Sequence, residues 1–278
     1  MSQSREVASK SMEASSSDNP KKITLQQSII IGSIAGGTEV AINHPLWSIK
    51  TRIQQQEPFT FRPSVLYRGI IPNVSSMIPI TAVQVGLNQF IKDIFYSTSP
   101  FTQEQQIRCA FLAGIGSAFV SAPTEMIMTQ QGIQKKSFFE AGQYIIQEGG
   151  YRALVRGLPA TMLREGPFTA CFLAGTPLIK DLLKPYIDND FFLSVTAGTG
   201  AGIGASTATQ GIDTIKTMQQ SSPVSRPLSF ANAAQKVYSE KGIYGFFKGG
   251  IPRSTRIASA ITVMSYVAEK METKFRPK

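Results

Sequence analysis

The stretch "GSIAGGTEVAINHPLWSIKTRIQ" (32–54) holds the pattern on which the fold depends. Its segment "HPLWSIK" (44–50) places Pro45 inside an apolar run and follows it with the only tryptophan of the chain, Trp47, and with Lys50. A proline in a helix interior costs about 3 kcal/mol, because it removes a hydrogen bond and clashes one turn back. We therefore expect a helix whose shape depends on a bend at Pro45.

Two later stretches repeat this pattern: "AFLAGIGSAFVSAPTEMIMTQQG" (110–132) and "GTGAGIGASTATQGIDTIKTMQQ" (198–220). When the three are aligned on Pro45, Pro123 and Gly211, each carries two small residues four positions apart in its upstream half: Gly32 and Gly36, Ala110 and Gly114, Gly198 and Gly202. This spacing lets helices approach closely inside a membrane. The alignment predicts three equivalent helices, bent at Pro45, Pro123 and Gly211.

A second pattern follows each of these stretches. The segments "YRGIIPNVSSMIPITAVQVG" (67–86), "VRGLPATMLREGPFTACFLAG" (155–175) and "FKGGIPRSTRIASAITVMSYV" (247–267) share a basic residue, a glycine, a nearby proline and an apolar helical run. The chain is therefore read as three copies of a two-helix unit, over residues 23–96, 97–187 and 188–278. The Ser-rich polar residues 1–22 before them are expected to be a disordered tail.

Composition limits the classes of protein that fit. The sequence has 278 residues, 42% of them apolar, but no run of about twenty uncharged apolar residues, so amphipathic spans around a polar cavity fit better than simple lipid-facing spans. The net charge of +10 calls for an acidic partner such as nucleic acid, anionic lipid or an anionic solute. The sequence has two cysteines, Cys109 and Cys171, and one histidine, His44, so neither a disulfide framework nor a metal site is expected.

The repeated blocks resemble the mitochondrial carrier family, whose odd helices carry Pro-x-[Asp/Glu]-x-x-[Lys/Arg] and whose even helices follow [Tyr/Phe]-[Lys/Arg]-Gly. The closest matches are "DTIKTMQQ" (213–220) and "EKGIYGFFKGGIPR" (240–253). The resemblance implies an all-α membrane protein with six transmembrane helices in three pseudo-symmetric repeats. It also implies a solute transporter in the inner mitochondrial membrane that opens alternately to either side.

The resemblance further implies a matrix-side gate of acid–base pairs, one step after each bend. In this chain Glu125 is expected to pair with Lys216, and Asp213 with Lys50. The remaining acid and base positions hold Trp47 and Met128, so both partners of one bridge are replaced together. Losing one partner alone would leave an unpaired buried charge, at about 3–5 kcal/mol. We expect Trp47 and Met128 to form an apolar contact instead.

The opposite, cytoplasmic gate departs further from the family pattern. The bases are retained as Lys92, Lys180 and Lys270, whereas the acid positions hold Gln89, Pro177 and Val267, so no ionic ring is expected there. Repeat one is also short, with 18 residues between Lys50 and Gly69, where the family places a short matrix helix and a bound lipid.

Candidate substrate ligands come from the register of the even helices. The position seven residues after Gly69, Gly157 and Gly249 holds Ser76, Arg164 and Arg256. An Arg–Glu pair such as Arg164 and Glu165 resembles family members that carry amino acids or similar zwitterions, and the uncharged Ser76 favours a small ligand. Two alternatives remain: Arg164 and Glu165 pair only with each other, or Arg164 and Arg256 bind the phosphates of a nucleotide.

Other classes compete with the transporter. The run "TGAGIG" (199–204) is similar to the turn of an NAD-binding enzyme, which would need a preceding strand. A nucleic-acid binder would need its basic residues on one surface, but here they are dispersed among the repeats. A carrier-shaped protein that no longer transports is a third possibility. The expected partners are a small-molecule substrate and membrane lipid, cardiolipin included, for a monomer without nucleic acid or cofactor.

Overall fold

A computed structural model describes residues 23–54, 61–67, 70–95, 102–247 and 249–275. The secondary structure of these residues is entirely helical. Residues 1–22, which the sequence predicts to be a disordered tail, lie outside this part of the chain. The long helices are α1 (Leu25–Gln54), α2 (Ile70–Phe95), α3 (Gln103–Gln134), α4, α5 (Asp190–Ser221) and α6 (Gly250–Phe275). Helix α4 consists of Leu158–Ala170, one π-helical turn over Cys171–Gly175, and Thr176–Leu183.

Short helices connect the two long helices of each repeat. Repeats two and three each contain a twelve-residue helix, Phe138–Gly149 and Phe230–Lys241, and both begin at a serine that caps the helix through its side chain. A shorter turn then leads into each even helix: Pro63–Leu66, Tyr151–Leu154 and Ile243–Phe247. In repeat one the described residues 61–67 contain this shorter turn, and the rest of the loop lies outside the described residues.

A glycine begins the even helices of repeats two and three. Gly157 and Gly249 have φ angles of 78° and 81°, in the left-handed region that glycine adopts at little steric cost. Their equivalent, Gly69, lies outside the described residues. The glycine that recurs in the [Lys/Arg]-Gly pattern is thus required by the backbone at two of its three positions.

The small residues of the odd helices lie against the even helix of the same repeat. A Cβ atom added at Gly36 would lie 2.0 Å from the Thr81 hydroxyl, and one at Gly202 would lie 2.4 Å from the Ala258 Cα. Gly114 is equally close to α4, 2.3 Å from the Glu165 carbonyl oxygen. Each repeat is therefore a tightly packed helix pair, as the small-xxx-small spacing predicts.

The six helices form a closed ring, in which each packs on the next along the chain and α6 packs on α1. Helices α1, α3 and α5 continue through Pro45, Pro123 and Gly211. A core cluster joins five of the six helices: Ala35, Val85, Phe172, Ala201, Ala205, Ile261 and Met264. The glycines of "TGAGIG" (199–204) lie within α5, so this run is not a nucleotide-binding turn.

The length and apolar character of two segments suffice for a membrane span. They are Asn73–Phe95 and Gln103–Gln134, and both are only partly buried in the protein. The other long helices carry more polar or charged side chains, several of which face the interior of the ring. This distribution suits helices that surround a polar centre.

Candidate functional site

Glu125 of α3 is at the centre of a buried ion network. Its Oε2 lies 2.5 Å from the Lys216 Nζ of α5, and its Oε1 lies 2.6 Å from the Arg164 Nη2 of α4. The structure thus brings together Glu125 and Lys216, which the sequence predicts to pair. Arg164, predicted as a substrate ligand, is a second cation on the same carboxylate.

Asp213 of α5 has a partner that was not predicted from the sequence. Its Oδ2 lies 3.2 Å from the Arg253 Nε of α6, and its Oδ1 lies 3.7 Å from the Arg164 Nη1. Arg253 also donates hydrogen bonds to the Ser206 carbonyl, the Thr209 hydroxyl and the Gln210 side chain. The predicted partner of Asp213 was Lys50, whose side chain lies outside the described residues. The run "GGIPR" contained the signal for Arg253, a basic residue four positions into an even helix.

Glu165 is also engaged within the protein. It accepts a hydrogen bond from its neighbour Arg164, and its Oε2 accepts one from the Gln84 Nε2 of α2 at 2.9 Å. The sequence predicts that Arg164 and Glu165 both bind a ligand. The structure differs because the long arginine side chain bends back, and its planar guanidinium contacts Glu125, Glu165 and Asp213 together. Arg164 and Glu165 pair with each other in this structure but not only with each other, because each also contacts a further side chain.

Among the described side chains, the network has equal numbers of cations and carboxylates and ties together five helices. It contains three cations, Arg164, Lys216 and Arg253, and three carboxylates, Glu125, Glu165 and Asp213. Gln84 adds α2 to the helices α3 to α6 that supply these charges. Such groups are costly to bury singly but compensate one another in a network.

The predicted apolar pair of the gate is only half described. The side chain of Trp47, like that of Lys50, lies outside the described residues. Met128 of α3 is partly buried, one turn from Glu125. The contact between Trp47 and Met128 therefore stays a prediction.

The two remaining predicted substrate ligands differ in their surroundings. Ser76 of α2 is 8% exposed, and its hydroxyl donates to the Asn73 carbonyl oxygen of its own helix at 2.7 Å. Arg256 of α6, by contrast, is exposed. Of the predicted substrate cations, Arg256 is the one that the ion network leaves accessible.

The predicted cytoplasmic bases make one contact that was not expected. Lys180 of α4 forms an ion pair with Glu269 of α6, far along both helices from the network. Glu269 lies two residues beyond the acid position at Val267, so this single pair does not belong to the family's ring, and the expectation that no ionic ring forms there stays a prediction. Lys270 lies 5.6 Å from the centre of the Tyr266 ring, and Lys92 is partly buried near the end of α2.

The sequence matches known proteins over most of its length. A family model described as mitochondrial carrier protein matches residues 21–60, 102–186 and 188–278. The human mitochondrial glycine transporter is 29% identical to this chain, and the match covers 89% of this chain and 90% of the transporter. The mitochondrial glycine transporter of Xenopus tropicalis is 30% identical, over 89% and 91% respectively. The mitochondrial carnitine carrier of Saccharomyces cerevisiae is 28% identical, over 83% of this chain and 82% of its own.

Proposed function

The chain belongs to the mitochondrial carrier family, and from this premise we propose that it carries an amino acid across the inner mitochondrial membrane by alternating access. Membership makes it a multi-pass transporter of that membrane. The relatives named for glycine make a small amino acid the first candidate, and the relative named for carnitine adds a second kind of zwitterion.

The balanced charge of the ion network is the observation that carries this proposal. Three cations face three carboxylates, with Arg164 and Glu165 in the middle. A zwitterion brings one charge of each sign, so it can exchange partners with a cation and a carboxylate and leave the balance unchanged. Its carboxylate would compete for Arg164, and its ammonium for Glu165, as the closed network loosens.

This competition supplies a mechanism for alternating access. The network joins helices α2 to α6 at one level and must separate before solute passes on that side. A ligand promotes a conformational change only by its differential affinity for the two states. A zwitterion that binds the separated charges better than the joined ones lowers the cost of separation.

The nucleotide alternative is not favoured. A nucleotide carries several negative charges and would need an excess of cations, whereas the described part of the network has three cations for three carboxylates. We further propose that the protein works as a monomer in contact with membrane lipid, cardiolipin included. The net charge of +10 is compatible with an anionic lipid surface.

Uptake by reconstituted liposomes tests the proposed function. The purified protein is offered radiolabelled glycine, larger amino acids, carnitine, ADP and ATP, with and without unlabelled solute inside the vesicles. We expect saturable uptake of one or more zwitterions and none of the nucleotides. Exchange of ATP or ADP without amino-acid uptake would support the nucleotide carrier, and a folded protein without any uptake would support a carrier that no longer transports.

A further inference from the structure

Glu39 of α1 is a buried carboxylate outside the ion network. It is 3% exposed, and its Oε1 accepts a hydrogen bond from the Asn43 Nδ2 one turn along the helix, at 3.0 Å. Within the described parts of the chain, no lysine or arginine nitrogen forms a salt bridge with it. A carboxylate without a cation inside a membrane helix is costly, and such residues generally serve the transported solute.

The neighbours of Glu39 place it on the interior side of α1. Ala35, one turn before it, belongs to the core cluster with residues of α4, α5 and α6. Asn43, one turn after it, accepts a hydrogen bond at its Oδ1 from the Ser259 hydroxyl of α6, at 2.7 Å. Because residues four apart share a helix face, Glu39 lies between these two contacts and faces away from lipid.

Arg256 of α6 is a cation on the helix that packs on α1. It lies one turn before Ser259 and is exposed. By the helical rise of about 1.5 Å per residue, Glu39 is about 6 Å from Asn43 along α1 and Arg256 is about 4.5 Å from Ser259 along α6. The two helices run in opposite directions, so Glu39 and Arg256 lie on opposite sides of the Asn43–Ser259 hydrogen bond.

The ion network makes the other predicted ligands less available in this state. Arg164 is held by three carboxylates, and Glu165 by Arg164 and Gln84. Glu39 and Arg256 are thus an acid and a base that the network leaves out, on the two sides of the Asn43–Ser259 hydrogen bond.

We propose that Glu39 binds the ammonium group of the transported zwitterion while Arg256 binds its carboxylate. Asn43 and Ser259 lie between them and can hydrogen-bond the same ligand. This inference rests on the proposed function and makes it specific: the substrate is first held between α1 and α6, beside the closed network, and contact with Arg164 follows when the network opens. Glu39 is then the residue that selects an amino acid over a hydroxy acid of the same size.

The test compares Glu39→Gln with the wild-type protein in reconstituted liposomes. Glutamine keeps the oxygen that accepts from Asn43 and removes only the charge. The probes are glycine and a series of larger α-amino acids, each paired with its α-hydroxy acid, such as glycolate. We expect the KM for amino acids to rise about tenfold or more in Glu39→Gln, since an ammonium–carboxylate contact is lost. Competition by the hydroxy acids should change little, so the preference for the amino acid falls.

Two further variants distinguish the loss of a ligand contact from a general loss of folding. Glu39→Asp keeps the charge on a shorter side chain and should retain part of the preference for amino acids. Glu104→Gln removes an exposed carboxylate at the start of α3 that pairs with Arg108, and it should behave as wild type. Thermal unfolding of each variant in detergent shows whether it is folded.

The outcomes separate this inference from the proposed function. If the wild-type protein carries amino acids and a folded Glu39→Gln keeps the same KM and the same preference over hydroxy acids, Glu39 does not bind the ammonium group. If Glu39→Gln does not fold, a wild-type preference for amino acids in Glu39→Asp, together with a wild-type KM for amino acids and hydroxy acids in a folded Arg256→Gln variant, overturns the assignment. If the wild-type protein carries no amino acid at all, the proposed function fails, and this inference with it.

Discussion

The Lys216 Nζ of α5 lies 2.5 Å from the Glu125 Oε2 of α3, with the Lys216 side chain only 5% exposed. Because Glu125 also binds Arg164 of α4, a single carboxylate holds three helices of the ring together. Its two oxygens contact different cations, so neither bond can be removed without changing the surroundings of the other. We propose that this ion pair forms when the matrix gate is closed.

Neutralising Glu125 should destabilise the protein more than removing the pair. Glu125→Gln leaves Lys216 buried without its carboxylate, and breaking a buried pair in this way costs about 3–5 kcal/mol. The double variant Glu125→Gln with Lys216→Met should recover part of that loss, because the uncompensated cation is gone. Thermal unfolding in detergent measures both. Strictly additive losses would mean that the two side chains do not interact.

Replacing Arg164 should abolish transport. Arg164→Ala removes the guanidinium that contacts Glu125, Glu165 and Asp213, and leaves their charges with too few cations. Arg164→Lys should restore only part of the uptake, since a point charge cannot serve several carboxylates as a planar fork does. Liposome uptake of the preferred amino acid measures the effect. Arg108→Ala, which removes an exposed cation, is the control, and normal uptake by Arg164→Ala would contradict the prediction.

A charged pair should replace the apolar pair that the sequence predicts in the gate. Met128→Lys alone adds a charge next to the network and should lower both stability and uptake. Together with Trp47→Glu it should be tolerated better, because a new bridge between α1 and α3 forms. The same two assays compare the single and double variants. Equal damage in both would show that Trp47 and Met128 do not meet.

Close packing between α5 and α6 should make Gly202 intolerant of a methyl group. A Cβ there would lie 2.4 Å from the Ala258 Cα, which is backbone and cannot move aside alone. Gly204→Ala is a matched control on the same helix, because nothing lies within 4 Å of its added Cβ. We expect Gly202→Ala to lower the melting temperature. Gly204→Ala should leave it unchanged or raise it, since alanine favours helix by about 1 kcal/mol. Equal effects of the two would refute the close approach.

The ion pair between Lys180 and Glu269 should affect the rate of transport more than stability. The Glu269 side chain is 50% exposed, and such pairs contribute about 0–1 kcal/mol. Lys180→Glu should repel Glu269 and change the rate of uptake, and the exchange Lys180→Glu with Glu269→Lys should restore it. Uptake rates at low and high salt provide the measurement. A single variant with a normal rate would show that this contact has no part in the cycle.

Local sequence predicted much of the fold. The spacing of Gly32 and Gly36, and of their counterparts, predicts close helix pairs because a helix repeats its face every three to four residues. The recurring glycine before each even helix predicts a sharp start, and Gly157 and Gly249 adopt the left-handed backbone that this requires. These features depend on residues near one another in the chain, so a repeat in the sequence is enough to identify them.

The partners of the buried charges were harder to predict. The pairing of Glu125 with Lys216 follows from the resemblance to the carrier family, in which the acid of one odd helix pairs with the base of the next. Asp213 and Arg253 lie forty residues apart on helices whose relative depth and rotation no local pattern specifies. Arg164 was expected to face a ligand, but its long side chain reaches three carboxylates from neighbouring helices.

By itself the amino-acid sequence determined the close helix pairs of the repeats and the pairing of Glu125 with Lys216, because these recur at fixed spacings along the chain. Only the tertiary structure decided which of the other charges neutralise one another and which are left over. The reason is that the energy of a buried charge depends on the distance to every neighbouring charge, and those distances exist only after the ring has closed. Glu39 shows this most clearly, because only the packing of α1 against α6 places it near Arg256.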